Sequence, residues 1–258
     1  MTGFIPLQNT SLYSLLRQFV VILLLSICSS LSFGSSLSLN AGLPAFPPFA
    51  YPSEMASKRG VVVEIFKILE KELDITFNIQ FYPYARMLES LKDGKTDLAI
   101  LFKNESLAGY VNYVAQISRS KVLILSAANK KVRRYEDLYQ FDAISVIRRA
   151  SFGARFDRDT NLNKYTVENY AQAVKMLNLG RVDAVVGSQS GLQNALDMQG
   201  VNYSDWEQPF ILSNKEWWVH FSNKSKHRNL IPVIQKEISK LYQQDLIYQL
   251  YKAQQKQR

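Results

Sequence analysis

The side chains best suited to chemistry in this sequence are cations and a small hydroxyl near the starts of predicted helices. Arg86 follows Pro83 where a helix begins, which makes it the best cation for an anionic group; a solvated surface arginine is the alternative. Arg149 and Ser151 lie where a strand leads into a predicted helix, whose free N–H groups also attract anions. A solvated arginine and a capping serine are the alternatives for these two residues. The pattern favours recognition of an anionic group.

Aromatic residues offer a second kind of contact. Four prolines and three aromatics in residues 43–52 predict a stiff, extended loop directly after the first strand, where open α/β sheets place ligand contacts. Phe49, Tyr51 and Phe102 could stack on a ring or line a cleft, and core packing is the alternative for at least one of them. Alternation along a strand turns one of Trp217 and Trp218 inward and the other outward.

The histidines do not indicate an enzyme. His220 and His227 are seven residues apart and stand near no cluster of acids or cysteines, so the sequence shows neither a metal site nor a catalytic triad. We therefore expect no cofactor, no metal and no catalytic activity. Glu105, beside Asn104, could still act as an acid in a cleft, which leaves an enzyme as an alternative.

A helix-to-strand junction occurs twice in the chain. Residues 94–100 and 180–186 share a glycine, a cation, any residue, an aspartate and then an apolar run, and an apolar stripe at helical spacing precedes each copy. Strands that are apolar at every position favour a parallel sheet covered on both faces. The repeat suggests two similar lobes, unless all such junctions look alike. We expect Asp97 and Asp183 to hold the junctions together and to take no part in chemistry.

The order of the elements predicts an α/β fold. Strands and helices alternate up to residue 102 and again from residue 135. Between these stretches no amphipathic helix precedes the apolar strand at residues 121–127, which we therefore predict to cross between lobes. The strand at residues 217–221 is predicted to be a second crossing.

The N-terminal stretch is typical of an export signal. Arg17 precedes the run Phe19–Cys28, which is nearly all apolar and too short to span a bilayer, and small residues follow. We predict that residues 1–34 are a cleaved signal peptide and that the mature protein is periplasmic. Cleavage after Ser32 and a lipoprotein attached through Cys28 are the alternatives.

The charge of the chain is basic but scattered. It carries 31 Lys and Arg against 22 Asp and Glu, a net charge of +9. Its two tightest basic clusters, at residues 130–134 and 224–228, lie in predicted loops and are expected to be solvated. With an export signal and no nucleic-acid motif, we do not expect nucleic acid as a partner. Cleavage after residue 34 removes the single cysteine, so packing must stabilise the mature chain.

Taken together, these features resemble the family 3 extracellular solute-binding proteins, which are type II periplasmic binding proteins. The resemblance rests on the export signal, the loop at residues 47–51, the helix after Gly60, the segment 83–86 and the two junctions, and it spans residues 37–251. It implies two similar α/β lobes with a ligand cleft between them, joined by two crossing segments and closing by hinge motion.

The resemblance also implies domain boundaries and partners. Lobe 1 would comprise residues 35–118 and 219–258, and lobe 2 residues 119–218. A monomer of this family delivers a small-molecule solute to an inner-membrane ABC permease. The alternatives are a sensory receptor in place of the permease and a dehydratase-like enzyme on the same fold.

The chain departs from the amino-acid binders of this family at two charged positions. Those binders clamp the ligand's α-carboxylate with an arginine shortly after the third strand, but here the stretch after that strand contains Asn104 and no arginine occurs between Arg86 and Arg119. The carboxylate that receives the ligand's ammonium falls near Ser188, which is uncharged. We therefore expect an unusual small polar solute, anionic or zwitterionic. The candidate ligand contacts are Phe49, Tyr51, Tyr84, Arg86, Phe102, Asn104, Arg149, Ser151 and Ser188.

Overall fold

The computed structural model describes residues 37–45, 47–51, 60–201 and 209–256, and the predicted signal peptide lies outside them. The strands of this part of the chain are β1 (Ser38–Pro44), β2 (Thr76–Tyr82), β3 (Leu98–Phe102), β4 (Val111–Ser126), β5 (Ile144–Ile147), β6 (Lys164–Val167), β7 (Ala184–Ser188) and β8 (Phe210–Ser222). They form one sheet in the order β2-β1-β3-β8-β4-β7-β5-β6.

Helices alternate with the strands, which confirms the predicted α/β class. They are α1 (Val61–Leu73), α2 (Tyr84–Asp93), α3 (Ala154–Arg158), α4 (Tyr170–Asn178), α5 (Gln189–Asp197), α6 (Ile231–Leu241) and α7 (Leu246–Lys256). None of these described helices combines the length and the apolar character needed to cross a membrane. The buried apolar side chains form one cluster that extends through both ends of the sheet.

The sheet is parallel at its two ends and antiparallel at its centre. β1 pairs in parallel with β2 and β3, and β5 does so with β6 and β7. β3 and β7 each have an antiparallel partner on the other side, β8 and β4 respectively. The prediction of parallel pairing is therefore confirmed for one neighbour of β3 and of β7 and wrong for the other neighbour. The reason is that β8 and β4, which lie between β3 and β7 in the sheet, run antiparallel to them.

The two predicted crossings are the two longest strands, and both extend further than the apolar patterns indicated. β4 has 16 residues and β8 has 13, and they pair with each other in the middle of the sheet. Their register shifts between Tyr113 and Gln116, between Gln116 and Ser118, and between Val122 and Leu123. Such irregularities bend a ladder and increase its local twist.

The two junction aspartates tie the start of each strand to its neighbour. Asp97 accepts hydrogen bonds from the backbone N–H of Asn40 at 2.8 Å and from the hydroxyl of Ser225 at 2.5 Å. Asp183 accepts one from the backbone N–H of Asp142 at 2.5 Å, just before β5. Equivalent contacts in the two copies of the repeat support the prediction that these carboxylates have structural roles.

The proline-rich loop is fixed by the start of α1. The carbonyl oxygens of Pro48 and Phe49 accept the N–H groups of Val61 and Val62 at 3.0 and 3.1 Å. The loop can approach this closely because residue 60 is a glycine with φ 136°, where a Cβ atom would lie 2.4 Å from the carbonyl oxygen of Phe49. The contact holds Phe49 in place above the end of the sheet.

Candidate functional site

Both ends of the sheet contribute to one aromatic cavity around Trp217. Its volume is about 30 Å³, which is room for one or two water molecules. The aromatic cavity is lined by Pro44, Phe49, Tyr84, Leu101, Phe102, Ile147, Ala150, Ser151, Phe152, Tyr170, Ser188 and Trp217. Five of the nine predicted ligand contacts are in this set, and none of these described lining residues carries a charge.

Trp217 is the fixed centre of the aromatic cavity. Its indole N–H donates to the hydroxyl of Ser120 at 2.8 Å. Its ring centroid lies 4.9 Å from that of Phe49 and 4.6 Å from that of Phe102. Trp218 points the other way, with Lys103 Nζ 4.8 Å from its ring centroid, so the predicted alternation of the two tryptophans is confirmed.

A buried amide supports one wall of the aromatic cavity. Asn104, which is 3% exposed, donates through Nδ2 to the hydroxyl of Tyr84 at 3.3 Å and to the carbonyl oxygen of Arg149 at 3.4 Å. Burial raises the pKa of Tyr84, and the hydrogen bond from Asn104 offsets only part of this effect. Tyr84 is therefore a neutral hydroxyl at any physiological pH, and Asn104 orients it.

The opposite wall is built on the junction between β7 and α5. Ser188 donates its backbone N–H to the hydroxyl of Tyr170 at 3.2 Å, and its own hydroxyl caps α5 by accepting the N–H of Gly191 at 3.3 Å. A Cβ atom on Gly191 would lie 2.4 Å from the ring of Tyr170. The serine that stands where the family's ligand carboxylate is expected is thus a helix cap.

Three predicted contacts lie at the margin of the cavity or away from it. Arg86 is exposed on α2, on the opposite side from the apolar stripe that carries Tyr84. The guanidinium of Arg149 binds Glu89 at 2.5 Å. The hydroxyl of Tyr51 donates to Asn194 at 3.3 Å. None of the three lines the aromatic cavity.

The helix start after β5 is already occupied by a carboxylate of the chain. Asp157 accepts the N–H of Phe152 at 2.9 Å and that of Gly153 at 3.2 Å, and the hydroxyl of Ser151 donates to it at 2.7 Å. The N–H groups of Phe152 and Gly153, which lie just before the helix, and the hydroxyl of Ser151 are therefore satisfied from within. The negative charge of Asp157 disfavours a second anion at this helix start. Ser151 keeps its place in the cavity wall.

A cation that the sequence reasoning missed lies beside the aromatic cavity. Lys215 Nζ donates to the carbonyl oxygen of Lys103 at 3.0 Å and to the hydroxyl of Ser151 at 3.1 Å. Burial lowers the pKa of Lys215, and the charge of Asp157 opposes this shift. The signal was present in the sequence, because Lys215 stands two residues before Trp217 and shares its face of β8.

The histidines do not form a metal centre. His220 is fully buried, with Nδ1 3.0 Å from the carbonyl oxygen of Trp218 and with Nε2 unpartnered among the described residues. No group of three or more His, Cys, Asp or Glu side chains in the described part of the chain could hold a metal ion.

Comparisons with known proteins agree with this architecture. The model of the family described as bacterial extracellular solute-binding proteins, family 3, matches residues 40–253. A search of curated proteins found no match.

Several solved structures share the fold. Holo ArgBP from T. maritima is 18% identical, with a TM-score of 0.65 and coverage of 83% of this chain and 95% of that one. The solute receptor for L-cysteine of Neisseria gonorrhoeae is 17% identical, with a TM-score of 0.68 and coverage of 84% and 89%. A histidine kinase sensor domain is 14% identical, with a TM-score of 0.67 and coverage of 85% and 93%.

Proposed function

Because this chain belongs to the bacterial extracellular solute-binding proteins of family 3, we propose that it captures a small polar solute, anionic or zwitterionic, and closes around it without chemical turnover. The observation that carries the proposal is the aromatic cavity, which both ends of the sheet line around Trp217. ArgBP and the receptor for L-cysteine share the fold, which is consistent with a ligand of similar size.

The proposed hinge lies in β4 and β8. Lobe 1 comprises residues 35–118 and 219–258, and lobe 2 residues 119–218. Both boundaries fall inside these two strands, whose ladder is interrupted by register shifts. Bending of the strands there would move the two ends of the sheet and widen the cavity between them.

The proposed setting is the periplasm, which the protein would reach as a monomer through its cleaved signal peptide. There it would deliver its solute to an ABC permease in the inner membrane. The second candidate is a sensory role, which is favoured by the similarity to a histidine kinase sensor domain. A neighbouring permease and ATPase gene pair would favour transport, whereas a neighbouring kinase or chemoreceptor gene would favour sensing.

Thermal denaturation in the presence of a metabolite library tests the proposal. A solute that binds only the folded state raises the Tm by mass action, and the shift grows with its concentration. We expect at least one small solute to do so, and to be recovered unchanged after incubation. The proposal would be contradicted if no solute raised the Tm, or if the best candidate were converted to a product.

A further inference from the structure

The aromatic cavity accepts an uncharged part of a solute. Six aromatic rings line it, and the hydroxyls of Tyr84 and Tyr170 are already bonded to Asn104 and Ser188. A charged group placed among these rings would lose its hydration and find no opposite charge. A flat apolar ring would keep aromatic contacts with the walls. The side chains that line the cavity therefore favour an uncharged aromatic ring over a charged group.

A second space lies on the other side of Lys215 from the wall of the aromatic cavity. This charged groove has a volume of about 360 Å³ and is lined by Lys103, Glu105, Arg119, Asn214, Lys215 and Glu216. Lys215 joins the two spaces, because it lines the groove and touches Ser151 in the cavity wall. A solute with its ring in the cavity would reach the groove at this lysine.

Lys215 is a cation of the groove that remains available to an anion. Its ammonium has three N–H donors, of which two bond to Lys103 and Ser151. No carboxylate of the described residues lies within ion-pair distance of Lys215, whereas Arg119 pairs with Glu216 at 3.0 Å. Lys103 Nζ lies over the rings of Tyr113 and Trp218.

From this juxtaposition we propose that the solute is an aromatic monoanion, whose ring enters the aromatic cavity and whose anionic group bonds to Lys215. The inference rests on the proposed function and narrows it from anionic or zwitterionic to anionic. Burial lowers the pKa of Lys215, and the charges of Asp157, Glu105 and Glu216 offset only part of this effect. A bound anion would provide the direct ion pair that no described carboxylate makes with Lys215.

An α-ammonium finds no equivalent partner. No carboxylate lines the aromatic cavity within the described ranges, and Ser188 caps α5. In the charged groove, Glu216 is engaged by Arg119 and by the indole N–H of Trp218, and the side chain of Glu105 is 80% exposed. An aromatic α-amino acid would therefore bury its ammonium without an ion pair, and it should bind more weakly than the corresponding acid.

The aromatic cavity must widen to admit the ring. Its volume of about 30 Å³ corresponds to one or two water molecules, well short of a six-membered ring. Phe49 and Phe102 belong to the wall of lobe 1, Phe152 and Tyr170 belong to the wall of lobe 2, and Trp217 lies on β8 between them. Separation of these walls by bending of β4 and β8 would open the space, and closure would bring the rings onto both faces of the solute.

Isothermal titration calorimetry with the full mature chain tests this inference. The probes are benzoate and phenylacetate, with benzamide as a neutral analogue, acetate as an anion without a ring, and L-phenylalanine as the zwitterion. We expect the two aryl carboxylates to bind at least tenfold more tightly than the other three. The substitution Lys215→Gln should weaken aryl carboxylate binding tenfold or more and leave the weak affinity for benzamide unchanged. Lys121→Gln is the matched control, because Lys121 is an exposed lysine on β4 outside both spaces.

The possible failures separate this inference from the proposed function. If L-phenylalanine bound more tightly than the aryl carboxylates, or if Lys215→Gln and Lys121→Gln had equal effects, the assignment of Lys215 and of the solute class would be overturned. If none of the aromatic anions bound but another class of metabolite raised the Tm, the solute class would be wrong and solute binding would stand. If no metabolite of any class bound, the proposed function itself would fail.

Discussion

The side-chain amide of Asn104 lies 3.4 Å from the carbonyl oxygen of Arg149 and joins the end of β3 to the turn after β5. The same amide also donates to the hydroxyl of Tyr84. Removal of this amide would break both hydrogen bonds, of which the one to Tyr84 is buried. We expect Asn104→Ala to lower the free energy of unfolding by about 1–3 kcal/mol, as measured by urea denaturation. Asn178→Ala, at an exposed helix end, is the control and should change stability by less than about 0.5 kcal/mol; equal losses would contradict the role of Asn104.

Arg149 has a left-handed backbone conformation, with φ 60°. A side chain is disfavoured there relative to glycine by about 1–2 kcal/mol. Arg149→Ala and Arg149→Gly both lose the ion pair with Glu89, so the difference between them reports the backbone alone. We expect the glycine variant to be more stable by about 1 kcal/mol in urea denaturation. Arg148, where φ is negative, is the control position, and there we expect the alanine variant to be more stable than the glycine variant. If the same variant were the more stable one at both positions, backbone strain at Arg149 would be contradicted.

Asp97 should contribute more to stability than Asp183. Asp97 is 6% exposed, and its loss leaves the part-buried N–H of Asn40 and the buried hydroxyl of Ser225 without this acceptor. The partners of Asp183 are the N–H groups of Asp142 and Ala143 and the ammonium of Lys130, and none of these three residues is buried, so water can replace the lost contacts. We expect Asp97→Ala to cost about 3 kcal/mol and Asp183→Ala about 1 kcal/mol in denaturant unfolding. Solute affinity should be unchanged in the variants that fold, and a loss of affinity at native stability would mean that these carboxylates contact the solute.

His220 should make stability depend on pH. Burial lowers its pKa to about 3, from an ordinary value of 6.5. Between these values the unfolded chain binds a proton that the folded chain does not, so stability rises with pH over this window. As the pH falls below 6.5, protonation of His220 in the unfolded chain should lower the free energy of unfolding by up to about 1.4 kcal/mol per pH unit.

Chemical denaturation at several pH values measures this dependence. His220→Leu should flatten the slope between pH 4 and 6.5, because leucine binds no proton. The control is His227→Gln, which replaces the other histidine of the chain and should retain the slope of the unaltered protein. An unchanged slope in His220→Leu would assign the pH dependence to other groups.

The fold was predictable because its signals are local. A glycine, an aspartate and an apolar run mark each helix-to-strand junction, and the proline-rich loop and the two crossings also have their own composition. The direction of pairing was only half predictable. An apolar strand is compatible with either a parallel or an antiparallel neighbour, and the sequence of β3 or β7 does not reveal that β8 or β4 returns beside it.

The candidate site was less predictable because its charges are compensated over long sequence distances. Arg149 pairs with Glu89, 60 residues away, and the carboxylate of Asp157 lies against the turn before a helix start. Lys215 could have been found by extending the alternation of Trp217 by two residues. Its contact with Ser151 spans 64 residues and follows from the fold rather than from any local pattern.

The register shifts of β4 and β8 lie where the proposed hinge motion would bend the sheet. These two strands lie between β3 and β7 in the sheet order, so any displacement of one sheet end relative to the other must pass through their ladder. Each irregularity removes hydrogen bonds that bending would otherwise strain. Solute capture would then occur by elastic bending of the paired strands β4 and β8, and a few short stretches of irregular pairing would set their stiffness. Substitutions in those stretches would tune the rates of capture and release without touching the solute.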